Sequence, residues 1–229
     1  MHVPDGFLDA PTSLATGVVA AAGIAVALRG ARRELDDRTA PMAGLVATFV
    51  FAAQMINFPV GAGTSGHLMG GALAAVLVGP WTAVLCLAVV LVVQALLMAD
   101  GGITALGTNI TLIGIVTVVV GWLVFALLRR VLPSRLGIVA PAAAVGALLS
   151  VPVAALGFTG LFALGGNAPV DLGAVATAML GWHSVIGIGE AVVTGLVVAS
   201  VVAARPDLVH GARPLLSGRE LETREVVVR

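Results

Sequence analysis

Long apolar stretches separated by short polar segments make up most of this chain. A helix that spans a bilayer needs about 20 mostly apolar residues, and seven stretches reach or approach that length. The third is too short to span alone and meets the fourth at Gly79 and Pro80, which indicates a broken or re-entrant segment. We therefore predict an all-α membrane protein with about seven transmembrane helices, one of them short or re-entrant. The stretches cover residues 12–28, 41–58, 68–79, 81–99, 110–128, 138–164 and 182–204.

The arginines predict how these helices are oriented. Each arginine follows an odd-numbered stretch, and cytoplasmic loops are the ones that carry an excess of positive residues. We therefore predict an extracytoplasmic N-terminus and a cytoplasmic C-terminus. We also predict one membrane domain over residues 1–204 and a charged cytoplasmic tail over residues 205–229, helical in part over residues 218–224. The arginines stand at positions 29, 32, 33, 38, 129, 130, 135, 205, 213, 219, 224 and 229.

Composition excludes several classes of function. Apolar residues make up 59% of the chain and charged residues 10%, against roughly 25% charged in a soluble domain, so a cytosolic globule is excluded. The net charge of zero argues against nucleic acid as a partner. Lysine is absent, which removes the phosphate-binding lysine of a P-loop ATPase. The single cysteine, Cys86, lies in an apolar stretch and cannot form an internal disulfide.

The first candidate site is the N-terminus itself. With histidine at position two, the amine of Met1, the backbone nitrogen of His2 and its side-chain Nδ1 can chelate one metal ion. Such planar nitrogen coordination is typical of Ni(II) or Cu(II), and it leaves one planar position open. The alternative is that His2 simply follows the initiator in a disordered end. The initiator methionine must be retained for this site. We expect its retention, because the bulky second residue hinders its removal.

The second candidate is His67, in a glycine-rich loop that precedes the third apolar stretch. An ionisable side chain at membrane depth needs a partner, and we predict that this partner is Met1 with His2. The alternative is a histidine that donates a hydrogen bond to a backbone carbonyl at a helix start. The glycines around it permit close backbone approach, as insertion of another segment would require.

Other polar residues are candidates for support rather than direct ligation. A metal-bound imidazole usually donates its other N–H to a neighbouring group, and Asn57, Thr64 and Ser65 stand near His67 in the sequence. Each is alternatively a loop or helix cap. Asp100 would attract a dication or cap the next helix. His183 shares a helix face with Glu190, with which it could form a buried polar pair.

Four segments of the chain carry a resemblance to a known family: MHVPDGFL, NFPVGAGTSGHLMGGALAAVLVGPW, QALLMADGGITALGTNI and HSVIGIGEAVVTG. They resemble the substrate-specific S component of cobalt/nickel energy-coupling-factor (ECF) transporters, the CbiM/NikM family. The resemblance implies that the N-terminus is inserted into the membrane bundle. It also implies that the transported Ni(II) or Co(II) is held by the Met1 amine, the backbone and side-chain nitrogens of His2, and His67. No organic cofactor is expected.

The resemblance also implies partners that the sequence does not contain. They are a transmembrane T component, two ATP-hydrolysing A subunits and a small N-type membrane protein, which we expect to be separate here. The chain itself is then a multi-pass protein of the cell membrane rather than an enzyme. Gly17, Ala21 and Ala25 recur every four residues and would permit close packing against the T component. Genes for cobalamin biosynthesis or for a nickel enzyme nearby would distinguish cobalt from nickel.

Two rival functions fit parts of the sequence. Gly63, Thr64, Ser65 and Gly66 match the GxSG pattern of rhomboid intramembrane proteases, and His183 could be the base of a Ser-His dyad. That interpretation explains neither His2 nor His67. A metal receptor without transport also fits, and it would differ from a transporter in needing no ATPase partner.

Overall fold

The computed structural model describes residues 1–36, 39–61 and 64–216. Helices dominate this part of the chain, together with one short antiparallel hairpin and three single 3-10 turns. The helices are α1 (Ala10–Ala31), α2 (Thr39–Gln54), α3 (Gly71–Val78), α4 (Pro80–Leu97), α5 (Leu106–Asn109), α6 (Thr117–Val131), α7 (Val139–Gly165) and α8 (Leu172–Ala204). The hairpin pairs β1 (Phe58–Gly61) with β2 (Thr64–Gly66), and a π-helical segment (Ile110–Val116) joins α5 to α6.

The predicted helical membrane bundle is confirmed. Among the described residues, five helical segments are long and apolar enough to cross a membrane, while α2 is apolar but shorter. Every residue of α3 is buried, so this short helix lies inside the bundle. Each predicted stretch therefore contains a helix, and the third is short as predicted. The count of seven spans and the orientation of the termini stay predictions. The five long segments are Ala10–Ala31, Pro80–Leu97, Leu106–Val131, Leu136–Gly165 and Leu172–Ala204.

Two predicted boundaries are wrong. The second stretch was predicted to continue to residue 58, but α2 ends at Gln54 and Phe58 begins the hairpin. The last stretch was predicted to begin at residue 182, but α8 begins at Leu172 because the Asp171 side chain caps it, accepting a hydrogen bond from the backbone N–H of Ala174 at 3.0 Å. The connection before α8 is correspondingly shorter than predicted.

Small residues allow α3 to pack closely in the centre of the bundle. It contacts α2, α4, α6 and α7. A methyl group added at Gly121 of α6 would lie 2.5 Å from the Cβ of Ala72, which is too close for two carbon atoms. Since apolar burial does not drive helices together within lipid, such close backbone contact is a main source of association energy.

The connecting segments gather at two ends of the bundle. At one end, Asn57 donates to the carboxylate of Asp100 at 2.9 Å, and the backbone N–H of Asn167 donates to the carbonyl of Phe7 at 3.0 Å. The N-terminal segment, the hairpin and the connections before α5 and α8 therefore meet there. These are the segments that the arginine pattern predicts to be extracytoplasmic.

The opposite end is held by a buried carboxylate and by the beginning of the predicted tail. Glu34 accepts hydrogen bonds from the backbone N–H groups of Trp81 and Thr82, at 3.2 and 2.7 Å, and so caps the start of α4. Beyond α8, Val209 and Ala212 are buried in the core. The predicted domain boundary at residue 204 stays a prediction, and the predicted helix over residues 218–224 lies outside the described residues.

Candidate metal centre

Asn109 and Gly102 fix the backbone of the N-terminal segment inside the bundle. Val3 is fully buried, and its backbone N–H donates to Asn109 Oδ1 at 2.8 Å. Its carbonyl accepts from Asn109 Nδ2 at 3.2 Å and from the backbone N–H of Gly102 at 2.9 Å. Both polar groups of this buried residue are thus satisfied, which makes the insertion of the segment stable.

The following residues anchor the same segment at the surface. Asp5 Oδ1 accepts from the backbone N–H of Thr104 at 2.7 Å and from its hydroxyl, and these hydrogen bonds hold the pKa of Asp5 below its usual range. The Phe7 ring packs against Phe158 and Phe162 of α7. The first residues of the chain are therefore held in a defined position and do not form a disordered end.

This anchoring brings Met1 and His2 to His67. All three are buried, with 1%, 5% and 1% of their surface exposed. The rings of His2 and His67 are stacked, with centroids 4.3 Å apart and planes inclined by 27°. The structure therefore brings together the three residues that the sequence predicts as metal ligands. In the sequence, Met1 and His2 precede the hairpin and His67 follows it.

The protonation of this cluster suits nitrogen donors. His67 Nδ1 donates to the backbone carbonyl of Leu68 at 2.7 Å, so its Nε2 carries the free lone pair. That Nε2 is buried without a hydrogen-bond partner among the described residues. Burial lowers the pKa of His67 well below its usual value and lowers that of the Met1 amine to about 4, even though the negative charges of Asp100 and Glu190 act to raise the amine pKa. Both groups are neutral at pH 7, so each has a nitrogen lone pair with which to bind a ligand.

Asp100 occupies one side of His2. Its Oδ1 lies 3.1 Å from His2 Nδ1. Burial raises the pKa of Asp100, but His2, Asn57 and the nearby N-terminal amine outweigh this and hold it below its usual value. Because the two imidazoles are stacked, one ion can reach a lone pair on each only after at least one ring turns.

A cavity of about 390 Å³ opens on His2 from the surface. Asn57, Thr64, Ser65 and Asp100, predicted as supporting residues, all line it. None of the four donates to or accepts from His67, whose Nδ1 is bound instead by Leu68. They therefore line the opening that leads to His2 and do not orient the His67 ring.

His183 and Glu190 do not form the polar pair considered above. His183 Nδ1 donates to the carbonyl of Met179 at 2.8 Å, and its buried Nε2 has no hydrogen-bond partner in the part of the chain described. Glu190 instead accepts from the backbone N–H groups of Met69 and Gly70, at 2.7 and 2.8 Å. The sequence shows Glu190 as a single carboxylate in an apolar helix, which indicates that it needs a partner, but it does not indicate which groups bind it.

The structure also locates the residues predicted for partner packing and for a protease dyad. Gly17 lies against Gly107 of α5, since a Cβ on Gly107 would come within 2.4 Å of the Gly17 Cα. Gly17 therefore packs against another helix of the same chain. Ala21 and Ala25 are exposed on α1. Ser65 makes no hydrogen bond to His183, whose Nδ1 is engaged with Met179. The dyad of a serine protease is therefore not formed.

Side chains alone do not make a metal site here. Within residues 1–36, 39–61 and 64–216, no group of three or more His, Cys, Asp and Glu side chains is placed to hold a metal ion. A site at Met1 and His2 has a different chemical basis, since it would take two of its donors from the terminal amine and a backbone nitrogen.

Comparisons with known proteins place this geometry in context. A family model, CbiM, described as the cobalt uptake substrate-specific transmembrane region, matches residues 2–208. A Haloquadratum walsbyi protein named for metal transport is 41% identical over 209 residues, 91% of this chain and 93% of that protein. The fused nickel transport protein NikMN of Rhodobacter capsulatus is 35% identical over 93% of this chain and 65% of its own length. A crystal structure of a truncated transition metal transporter is similar with a TM-score of 0.83 and 30% identity, over 89% of this chain and 99% of that chain.

Proposed function

This chain belongs to the CbiM family of cobalt uptake substrate-specific transmembrane regions, and we propose that it is the metal-capturing S component of an ATP-driven ECF-type uptake transporter. It is a multi-pass membrane protein of the cell membrane, from a family of cobalt and nickel transport proteins. The observation that carries the proposal is the meeting of Met1, His2 and His67 in the interior.

The cargo is Co(II) or Ni(II), bound from outside by four nitrogens. The Met1 amine, the His2 backbone nitrogen and His2 Nδ1 chelate the ion, and His67 Nε2 completes the plane. The neutral amine and the free lone pair of His67 support this donor set. The mature chain must begin at Met1 with a free amine. Zinc is disfavoured because its protein sites are tetrahedral, whereas nickel accepts planar nitrogen ligands.

Capture would begin in the surface cavity. The carboxylate of Asp100 attracts the dication there, while Asn57 holds this carboxylate at 2.9 Å. His2 then turns from Asp100 toward the ion, which breaks its stacking on His67. Since the amide nitrogen of His2 must lose its proton to bind, capture releases this proton.

Release into the cell would need energy from partner subunits. A conducting pore needs sites weak enough for the ion to leave, whereas a chelate with an amide nitrogen releases its ion slowly. A chain without lysine has no P-loop of its own. We therefore propose that a T component and two ATP-hydrolysing A subunits drive release, with a separate small N-type protein.

The test is metal analysis of the purified chain with three histidine variants. Wild-type protein is expected to bind one Ni(II) or Co(II), and His2→Ala and His67→Ala are expected to lose it with unchanged helical content. His210→Ala is the matched control, because His210 packs against Trp122 at the opposite end of the bundle. Binding that survives either site variant contradicts the proposed ligands.

Transport is tested separately in membrane vesicles. Accumulation of the metal is expected only when the ATPase partners are present with ATP. A chain that binds the ion but never delivers it in their presence would be a receptor, and the transport proposal would then be wrong.

A further inference from the structure

The peptide between Leu68 and Met69 joins His67 to a carboxylate buried in α8. Its carbonyl accepts from His67 Nδ1 at 2.7 Å, and its N–H donates to Glu190 Oε2 at 2.7 Å. Both groups belong to one planar unit, so the position of the carboxylate fixes the plane of the peptide and with it the direction of the His67 hydrogen bond.

The next peptide is fixed in the same way. The Met69 carbonyl accepts from Gln54 Nε2 at 2.8 Å, and the N–H of Gly70 donates to Glu190 Oε1 at 2.8 Å. Two consecutive N–H groups thus converge on one carboxylate, and Gly70, with a φ of +78°, turns the chain into α3. Such a turn forms a backbone anion-binding nest. A Cβ at Gly70 would also lie 2.8 Å from Val50.

Only a carboxylate satisfies this arrangement. Glu190 is 2% exposed, and each of its two oxygens accepts one backbone hydrogen bond. A glutamine of the same shape offers one acceptor oxygen and turns an NH2 donor toward the second N–H. A buried carboxylate in a membrane helix is costly, so its presence at this position indicates a role that an amide does not fill.

We propose that Glu190 is a positioning residue for the cargo site, acting on His67 through the Leu68–Met69 peptide. Metal-bound histidines commonly donate their second N–H to a carboxylate or carbonyl, which fixes the ring and raises its strength as a ligand. Here the carboxylate polarises a peptide whose carbonyl then accepts more strongly from the imidazole. This inference rests on the proposed function, since it assigns how one of the proposed ligands is tuned.

Substitution of Glu190 by Gln tests the proposal. Glu190→Gln is expected to weaken Ni(II) binding by about 10- to 100-fold, the usual effect of removing such a supporting group. The visible absorption band of bound Ni(II) should also move to longer wavelength, because a less basic His67 gives a weaker ligand field. A purely structural role would lower the melting temperature without moving this band.

Thr194→Val is the matched control. Thr194 lies on α8 one turn beyond Glu190, is equally buried, and its hydroxyl has no hydrogen-bond partner among the described residues. This variant is expected to keep the wild-type affinity and spectrum. If Glu190→Gln also keeps both, while wild type binds the metal and His67→Ala does not, the inference is wrong and the proposed function stands. If wild type binds no metal, the proposed function itself fails.

A second measurement needs no substitution and covers the case in which Glu190→Gln does not fold. Nitrogen NMR of the metal-free wild-type chain is expected to show that His67 is protonated at Nδ1 and unprotonated at Nε2. The amide proton of Met69 should be shifted downfield and strongly protected from exchange. A proton on Nε2, or rapid exchange of the Met69 amide, overturns the proposal.

Discussion

Lengthening the N-terminus by one residue should greatly weaken metal binding while leaving the bundle folded. The variant places one leucine between Met1 and His2; a bulky residue is chosen so that the initiator methionine is retained. An extra residue adds about 3.3–3.6 Å of extended chain. Met1 is 1% exposed and Val3 is fully buried, so the extra length must displace either the amine or Val3.

Either accommodation of the extra residue breaks the proposed site. If Val3 keeps its hydrogen bonds to Asn109 and Gly102, His2 stays in place but the amine is no longer adjacent to it, and the chelate ring is lost. If Val3 shifts, its buried N–H and carbonyl lose their partners, at a cost of about 1–3 kcal/mol each, and His2 leaves His67.

The expected loss of affinity is large. A four-ligand zinc site binds with roughly 10–16 kcal/mol, or about 3 kcal/mol per donor, which corresponds to about 100- to 1000-fold in affinity. The assay is a competition titration of Ni(II) with a chelating dye, together with mass spectrometry of the N-terminus and circular dichroism for helical content.

The control inserts the same leucine after Ser134, in an exposed connection at the opposite end of the bundle. This variant is expected to bind as wild type does. An N-terminally extended chain that still binds Ni(II) with the wild-type dissociation constant would refute the reasoning, because the terminal amine could not then be a ligand.

Three further substitutions probe the site and its surroundings. Asn109→Leu should lower the free energy of unfolding by about 1–3 kcal/mol, since the buried Val3 N–H loses its acceptor while the Val3 carbonyl keeps Gly102, and weaken metal binding by about tenfold; an unchanged thermal melt and titration would contradict this. Glu34→Gln, at the other end of the bundle, should lower the free energy of unfolding by about 1–3 kcal/mol, because one of the two backbone N–H groups at the start of α4 loses its acceptor. The metal affinity should stay unchanged, and a loss of affinity would show that the two ends of the bundle are coupled. Ser65→Ala should weaken metal uptake without abolishing it, whereas complete loss would make Ser65 essential.

The helical membrane character was predictable from the sequence because it depends on local composition. An apolar stretch of sufficient length forms a helix in lipid wherever it occurs, since backbone groups there must be satisfied within the segment. The polar interruptions were less predictable. The hairpin after α2 and the start of α8 at Leu172 depend on hydrogen bonds and caps that apolarity alone does not indicate.

The candidate site was predicted in part. The residue types at Met1, His2 and His67 indicated a nitrogen-rich metal site, and the resemblance to a family indicated that these residues meet. The structure places the two rings 4.3 Å apart. It also places Asp100 against His2, a contact between residues far apart in the chain that no local pattern indicates.

The sequence by itself determined which groups are available: apolar helices, a histidine beside a terminal amine, another in a glycine-rich loop, and one carboxylate in the last helix. Only the tertiary structure decided which groups contact each other. Glu190 finds its partners on two backbone N–H groups, at Met69 and Gly70. Every residue except proline carries such an N–H, so side-chain identity cannot indicate which N–H groups are left free for a distant carboxylate; the folded path of the chain decides it.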